Sequence, residues 1–228
     1  MGRAAGLSTS RSASNRGARL KALPTIYLIR HGETAWTLTG QHTGTSDIPL
    51  TEHGEAQARA MAYRLIDVEF SHVLVSPRIR AQKTCELAEL ASGSEVEPKL
   101  AEWLYGDFEG LRAADIRKDR PNWSVWQDGC PHGESPAQMA SRVDRLITHL
   151  CSMHGNVALF THGHLGSALA ARWIGLPINA GQHFVLNPAS VSILGHNSDP
   201  TPKRLIELWN ETELVARAAE EAETAPGK

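Results

Sequence analysis

The chain has 228 residues, enough for one ordinary domain with a substantial core. Hydrophobic residues make up 41% and charged residues 21%, a globular composition that argues against a disordered or membrane-embedded chain. A formal net charge of −2 gives no basis for binding a polyanion such as nucleic acid, so any positive field must be local, made by a few arginines in one place.

In chain order, residues 1–24 read as a basic, serine-bearing leader with Arg3, Arg11, Arg16, Arg19 and Lys21 and no acidic residue. It lacks the apolar centre of a secretory signal. Its composition fits a disordered leader, with an organellar transit peptide as the lesser alternative. The stretch "TIYLIRHGETAW" then predicts a strand over 25–30 that delivers Arg30 and His31 into a Gly-Glu-Thr turn. A helix is expected over 52–67, with Ala58, Met61, Ala62, Leu65 and Ile66 on one face. A second strand is expected over 71–76, a second helix over 78–91, and a short extended piece near 95–98. Residues 100–135 are irregular, aromatic and glycine-bearing, the profile of a functional lid.

Ser135 predicts the N-cap of a helix that starts at Pro136, with Met139, Val143, Leu146, Ile147 and Leu150 on its apolar face. "NVALFTHGH", residues 156–164, is an apolar strand that empties into His-Gly-His and a further helix. "SVSILGHN" and "RLIELWN" predict a last pair of strands, and residues 211–228 an acidic, alanine-rich tail. Strands alternating with helices predict a single α/β domain over 25–210, with a mostly parallel central sheet and helices on both faces. The three cysteines, Cys85, Cys130 and Cys151, include no CxxC pair, which argues against a disulfide framework or zinc site and for a reducing, cytoplasmic setting. No uncharged apolar stretch approaches the roughly 18 residues of a membrane span.

Ligands of open α/β sheets bind beyond the carboxyl ends of the strands. Two strands here run into histidines, His31 and His162, and a third runs into "SPRIRAQKT", which carries Arg80. Two arginines beside a helix N-terminus suit a multiply charged oxyanion, because the guanidinium fork matches phosphate oxygens. A neutral imidazole in that field is a competent nucleophile for phosphorus, and the cations both oppose its protonation and spread the charge of the transferring group. The leaving alkoxide needs a proton, and Glu102 in "LAEWLYG" is the candidate donor.

Other readings stay open beside this one. Arg30 and His31 could form a solvated strand end, and His162 with His164 could bind zinc, although no Asp or Cys set completes a shell. His42 could touch substrate or cap a turn. Arg78 rivals Arg80 but suits a solvated helix start. Trp103, Trp123 and Trp126 could shape a lid or only pack. Glu134 could bond within the pocket or flank a helix start, and Arg142 reads as structural, pairing with a carboxylate.

At these residues the chain resembles the histidine phosphatase superfamily, whose fold is phosphoglycerate-mutase-like. "RHGET" (30–34) is followed in order by "LTEHGEAQA", "SPRIRAQKT", "LAEWLYGDFEG", "GES" and "VALFTHGH", so the resemblance covers residues 25–210. It implies that His31 becomes phosphorylated and that Arg30, Arg80 and His162 bind the phosphoryl oxygens. It also implies that Glu102 protonates the leaving oxygen and then activates water. Substrate contacts are expected from Thr37, Gln41, His42, Thr43 and Gly44, and from the Gly163 amide. No metal and no cofactor is implied. "WTLTGQHTGTSDIPLT" looks closest to small acid-phosphatase and sedoheptulose-bisphosphatase-like members, and Thr37 stands where glycolytic mutases carry asparagine. Ser167 stands where many relatives carry arginine, and the arginine-bearing insertion of mutases is not found between Gly110 and Gly133. The expected partner is a small phosphorylated metabolite, with no nucleic acid and no membrane, and with homo-oligomerisation left open. The rivals are a phosphoglycerate mutase and a phosphate-ester-binding protein without turnover.

Overall fold

The structure is a computed structural model that describes residues 23–212. The leader and tail expected at 1–24 and 211–228 lie almost wholly outside the described residues. One boundary moves: Glu211 is the last residue of a strand, and it pairs with Arg64.

Six strands form one sheet: β1 (Thr25–Arg30), β2 (Phe70–Val75), β3 (Glu95–Val96), β4 (Asn156–Thr161), β5 (Val191–His196) and β6 (Arg204–Glu211), in the order β3-β2-β4-β1-β5-β6. The pairs β3/β2, β2/β4 and β4/β1 are parallel; β5 runs antiparallel to both β1 and β6. Among the described residues seven α-helices accompany it: α1 (Ala35–Thr39), α2 (Glu52–Leu65), α3 (Ile79–Leu87), α4 (Ala113–Asp119), α5 (Val125–Asp128), α6 (Pro136–Leu150) and α7 (Gly163–Trp173).

The period of two along the strands divides the core into two layers. Ile26, Leu28, Leu74, Val157 and Leu159 pack with Met139, Val143, Leu146, Leu165 and Leu169 of α6 and α7. Their neighbours Ile29, Val75, Ala158 and Phe160 pack instead with Met61, Leu65, Ala81 and Cys85 of α2 and α3. Both faces of the sheet are thus covered, which explains why β1 and β4 read as continuous apolar runs. After β1 the chain crosses toward β2, whereas after β4 it crosses the other way toward β5. The crevice between β1 and β4 is therefore the topological switch point, where an α/β sheet opens a ligand site.

Two expectations need correction. The helix expected over 78–91 ends at Leu87, and Glu89 already has a positive φ of 62°. Residues 100–135 are not a loose flap over the site. They follow a 3-10 turn at Pro98–Leu100, contain another at Gly106–Phe108 together with α4 and α5, and bury Trp103, Tyr105, Trp123 and Trp126 in the same core as α6 and α7. Their pattern is weak because each helix is short and the burial is carried by aromatics rather than by a repeating stripe.

Candidate active site

Backbone hydrogen bonds fix His31 from two sides. Its N–H donates to the Thr161 carbonyl of β4, and its own carbonyl accepts from Ala189 just before β5. The turn that follows lies against α2 so closely that a Cβ at Gly32 would overlap the Gly54 carbonyl. The Gly32 N–H donates to Thr84 Oγ1 at 3.1 Å, and that hydroxyl donates in turn to the Arg80 carbonyl at 2.7 Å. One network therefore couples the histidine turn to the helix that carries Arg80.

The His31 ring is buried, and its Nδ1 lies 2.7 Å from the Gly32 carbonyl oxygen. That oxygen can only accept, so Nδ1 carries the proton and Nε2 keeps its lone pair. Burial, then the charges of Arg30 and Arg80, hold the imidazole pKa well below its ordinary value, so the ring stays neutral. Arg80 Nε lies 3.3 Å from His31 Nε2, while its Nη atoms donate to the carbonyls of Ser46 and Thr43 at 3.0 and 2.8 Å. Arg30 donates through Nη1 to the Leu186 carbonyl, and its Nε is buried with no partner among the described residues.

His162 directly follows β4 and is the N-cap residue of α7, with no exposed surface. Its Nε2 is 2.7 Å from Ser76 Oγ, at the end of β2, while its Nδ1 is buried without a protein partner. Its ring lies 5.2 Å from that of His31. Burial first, then Arg80, keep this imidazole neutral as well. The Glu102 carboxyl accepts from the amides of Trp103 and Leu165 on Oε1 and of His164 on Oε2, at 2.8–2.9 Å, and so satisfies free N–H groups at the start of α7. Arg142 holds the segment carrying it: the guanidinium pairs with Glu134 at 2.7 Å and donates to the carbonyls of Lys99, Ala101 and Glu102.

A cavity of about 320 Å³ opens over this floor. Arg30, His31, Glu102, Gly163 and His164 reach its surface, as do Thr37, Gln41, His42 and Thr43. Arg80 and His162 are buried and are not among the residues that line it. Gly44 does not line the cavity, because its amide donates to the Glu109 carboxylate, which also takes the Ser46 amide. The Thr37 hydroxyl donates to the Thr34 carbonyl at 2.8 Å and accepts the Thr34 amide, which closes the capping box of α1. The Gln41 side chain bonds the Gly110 carbonyl and the Thr39 hydroxyl. Gly163 lies flat on the Arg30 guanidinium, where a Cβ would come within 3.4 Å of Cζ.

Arg78 donates to the Thr45 carbonyl and stands outside the cavity. Of the tryptophans considered, Trp126 lines the cavity, while Trp103 and Trp123 are core. His162 and His164 each bond a hydroxyl, of Ser76 and Tyr105, and among the described residues no group of three or more His, Cys, Asp or Glu could hold a metal.

Sequence reasoning missed Ser76, Thr84 and Tyr105. Ser76 was detectable, since it ends the third strand of the same row. Thr84 and Tyr105 act through contacts that only the fold creates. Tyr105 is buried with its hydroxyl on His164 Nδ1, and the His42 ring stacks on it at 4.6 Å. Burial, with Glu102 nearby, pushes this phenol well above its ordinary pKa, and burial lowers that of His42 to about 4.

The model of the histidine phosphatase superfamily (branch 1) matches residues 26–212. The chain is 41% identical to an acid phosphatase of Mycobacterium tuberculosis over 176 residues, 75% of this chain and 85% of that protein. It is 32% identical to a sedoheptulose 1,7-bisphosphatase of Saccharomyces cerevisiae, over 68% of this chain and 69% of the other. The solved structure of an open reading frame of Mycobacterium tuberculosis superposes with a TM-score of 0.77 at 37% identity, covering 82% of this chain and 97% of that one.

Proposed function

The chain belongs to the histidine phosphatase superfamily and is a phosphatase, and we propose that it hydrolyses a small phosphomonoester through a phosphohistidine at His31, without a metal. The observation that carries this reading is the His31 ring: Nδ1 is tied to Gly32, so a neutral Nε2 is left as the free base beside two guanidiniums. As phosphorus approaches, the lone pair leaves the Arg80 N–H for phosphorus, and that N–H becomes available to a phosphoryl oxygen. Arg30 Nε–H and the unpartnered Nδ1 of His162 supply further donors, because the Ser76 hydroxyl can donate to Nε2 and leave the proton on Nδ1. These donors neutralise the equatorial charge, the task a metal performs in other phosphoryl transferases.

In the first step the Nε2–P bond forms and the P–O ester bond breaks, while protonated Glu102 gives its proton to the leaving oxygen. The resulting carboxylate is held by three amides at the α7 terminus. In the second step it takes a proton from water, the oxygen attacks phosphorus, the N–P bond breaks and phosphate departs. The free thiols of Cys85, Cys130 and Cys151 support a cytoplasmic location. No helix among the described residues is long and apolar enough to cross a membrane. Release of inorganic phosphate from a monoester panel in the presence of EDTA tests the reading. Release that EDTA does not alter is expected. Interconversion of 2- and 3-phosphoglycerate with no net release would instead establish the mutase.

A further inference from the structure

The floor and the wall of the cavity differ in charge. Arg30 at the floor is the only Lys or Arg that lines it among the described residues. Above the floor the wall consists of Trp36, Trp126, Phe184 and Val185 with Gln41, Gln182 and Ser167, and Glu102 adds a carboxylate. The Ser167 hydroxyl contacts the carbonyls of Gly163 and Phe184, so it offers an incoming group no free proton. Arg117 lies near His42, but its Nε is bonded to the Trp123 carbonyl and it does not reach the cavity. Arg112 is paired with Asp115 on the outer surface.

We propose that the phosphatase selects a monoester whose alcohol carries no second phosphate and no carboxylate, and presents an uncharged face to the aromatic wall. The inference rests on the phosphatase reading and specifies its substrate. A second anion on this wall would lose its hydration against aromatic surface and meet no lysine or arginine among the described residues beyond Arg30, which faces the transferring phosphate. A neutral ring meets Trp36, Trp126 and Phe184 instead. The His42 Nε2, buried without a partner, and the free amide of exposed Gln182 remain for one or two polar contacts.

The test compares the full-length enzyme on fructose 6-phosphate, fructose 1,6-bisphosphate, 3-phosphoglycerate and 4-nitrophenyl phosphate, by phosphate release. We expect kcat/KM for fructose 6-phosphate and 4-nitrophenyl phosphate, whose one anionic group is the transferring phosphate, to exceed that for the bisphosphate and the phosphoglycerate at least about tenfold, the effect of one unfavourable uncompensated charge. Lysine at the wall, Gln182→Lys or separately Val185→Lys, should raise the ratio of bisphosphate to monophosphate kcat/KM about fivefold, the effect of a partly exposed ion pair. Equal or better use of the bisphosphate or phosphoglycerate by the parent enzyme overturns the inference while leaving the phosphatase reading intact. So does a ratio that neither lysine variant moves. Phosphate release from none of the four overturns both.

Discussion

The floor of the cavity comes from strand ends, and its wall comes from loops and short helices. Arg30, His31, Ser76 and His162 each sit at or one residue beyond the end of a parallel strand, locked by ladder hydrogen bonds. Trp36, His42, Trp126 and Phe184 come instead from α1, the following loop, α5 and the segment after a 3-10 turn at Ile178–His183. In the floor, position is fixed by the sheet, so a few buried cations and neutral imidazoles can hold a demanding charge arrangement. In the wall, position depends on mutual side-chain packing, so its chemistry is free to vary while the floor stays the same. On the two proposals made above, the floor carries the reaction and the wall the choice of substrate.

Removing the nucleophile puts the strongest strain on that division. His31→Ala should lower phosphate release at least about 10⁴-fold while the protein still folds, since no other group can take over the covalent step. A loss under tenfold in a folded variant would place the chemistry elsewhere. Glu102→Gln should cost about 10²- to 10⁴-fold in kcat, more for esters with poor leaving groups, while inorganic phosphate still binds. An equal loss on every ester would mean that Glu102 does not supply the proton.

Arg142→Ala sharpens the comparison from below the floor. It leaves Glu134 partly buried without its partner and frees the carbonyls of Lys99, Ala101 and Glu102, so a loss of about 3 kcal/mol in stability is expected. Here kcat should fall more than KM rises, and Arg142→Lys should restore stability better than kcat, because an ammonium cannot make the same fork. The smallest effect is on pH dependence. His31, His162 and His164 are held neutral by burial, with folded pKa values below the ordinary 6.5, and His42 lies at about 4. The unfolded chain binds more protons at acidic pH, so their contribution is complete above about pH 7 and is lost as pH falls below about 6.5. The melting temperature should drop steadily between those conditions and about pH 5; a flat profile would deny that the rings are held neutral.

The same division governs what was legible in the sequence. β1, β2, β4 and the two last strands were visible as apolar runs, and Ser135 before Pro136 marked α6, which does start there with a capping box. Because strands end where such runs end, Arg30, His31, Arg80 and His162 could be gathered at one sheet edge before any coordinates. Arg142 was legible as a structural cation, though not as the strut behind Glu102. The wall was legible only in part: Thr37, Gln41, His42 and Thr43 were expected there, whereas Trp36, Gln182 and Phe184 were not. α1, α4 and α5 are each seven residues or fewer, too short for a 3.6-residue period to register. Thr37 and Gly44 were both expected at the substrate, and Thr37 lines the cavity while Gly44 does not. The fold commits the amide of Gly44 to Glu109 and the hydroxyl of Thr37 to Thr34. Tyr105 gained its place only when the segment read as a lid folded into the core.

The central claim is that phosphorus passes through His31. Mixing enzyme with a reactive monoester, quenching in alkaline denaturant within milliseconds and measuring intact and peptide mass tests it directly. The account predicts one added phosphoryl group, located on the peptide containing His31, lost on acidification and absent from His31→Ala. Turnover with no phosphoenzyme at any quench time, or a phosphoryl group mapped to another residue, would contradict it.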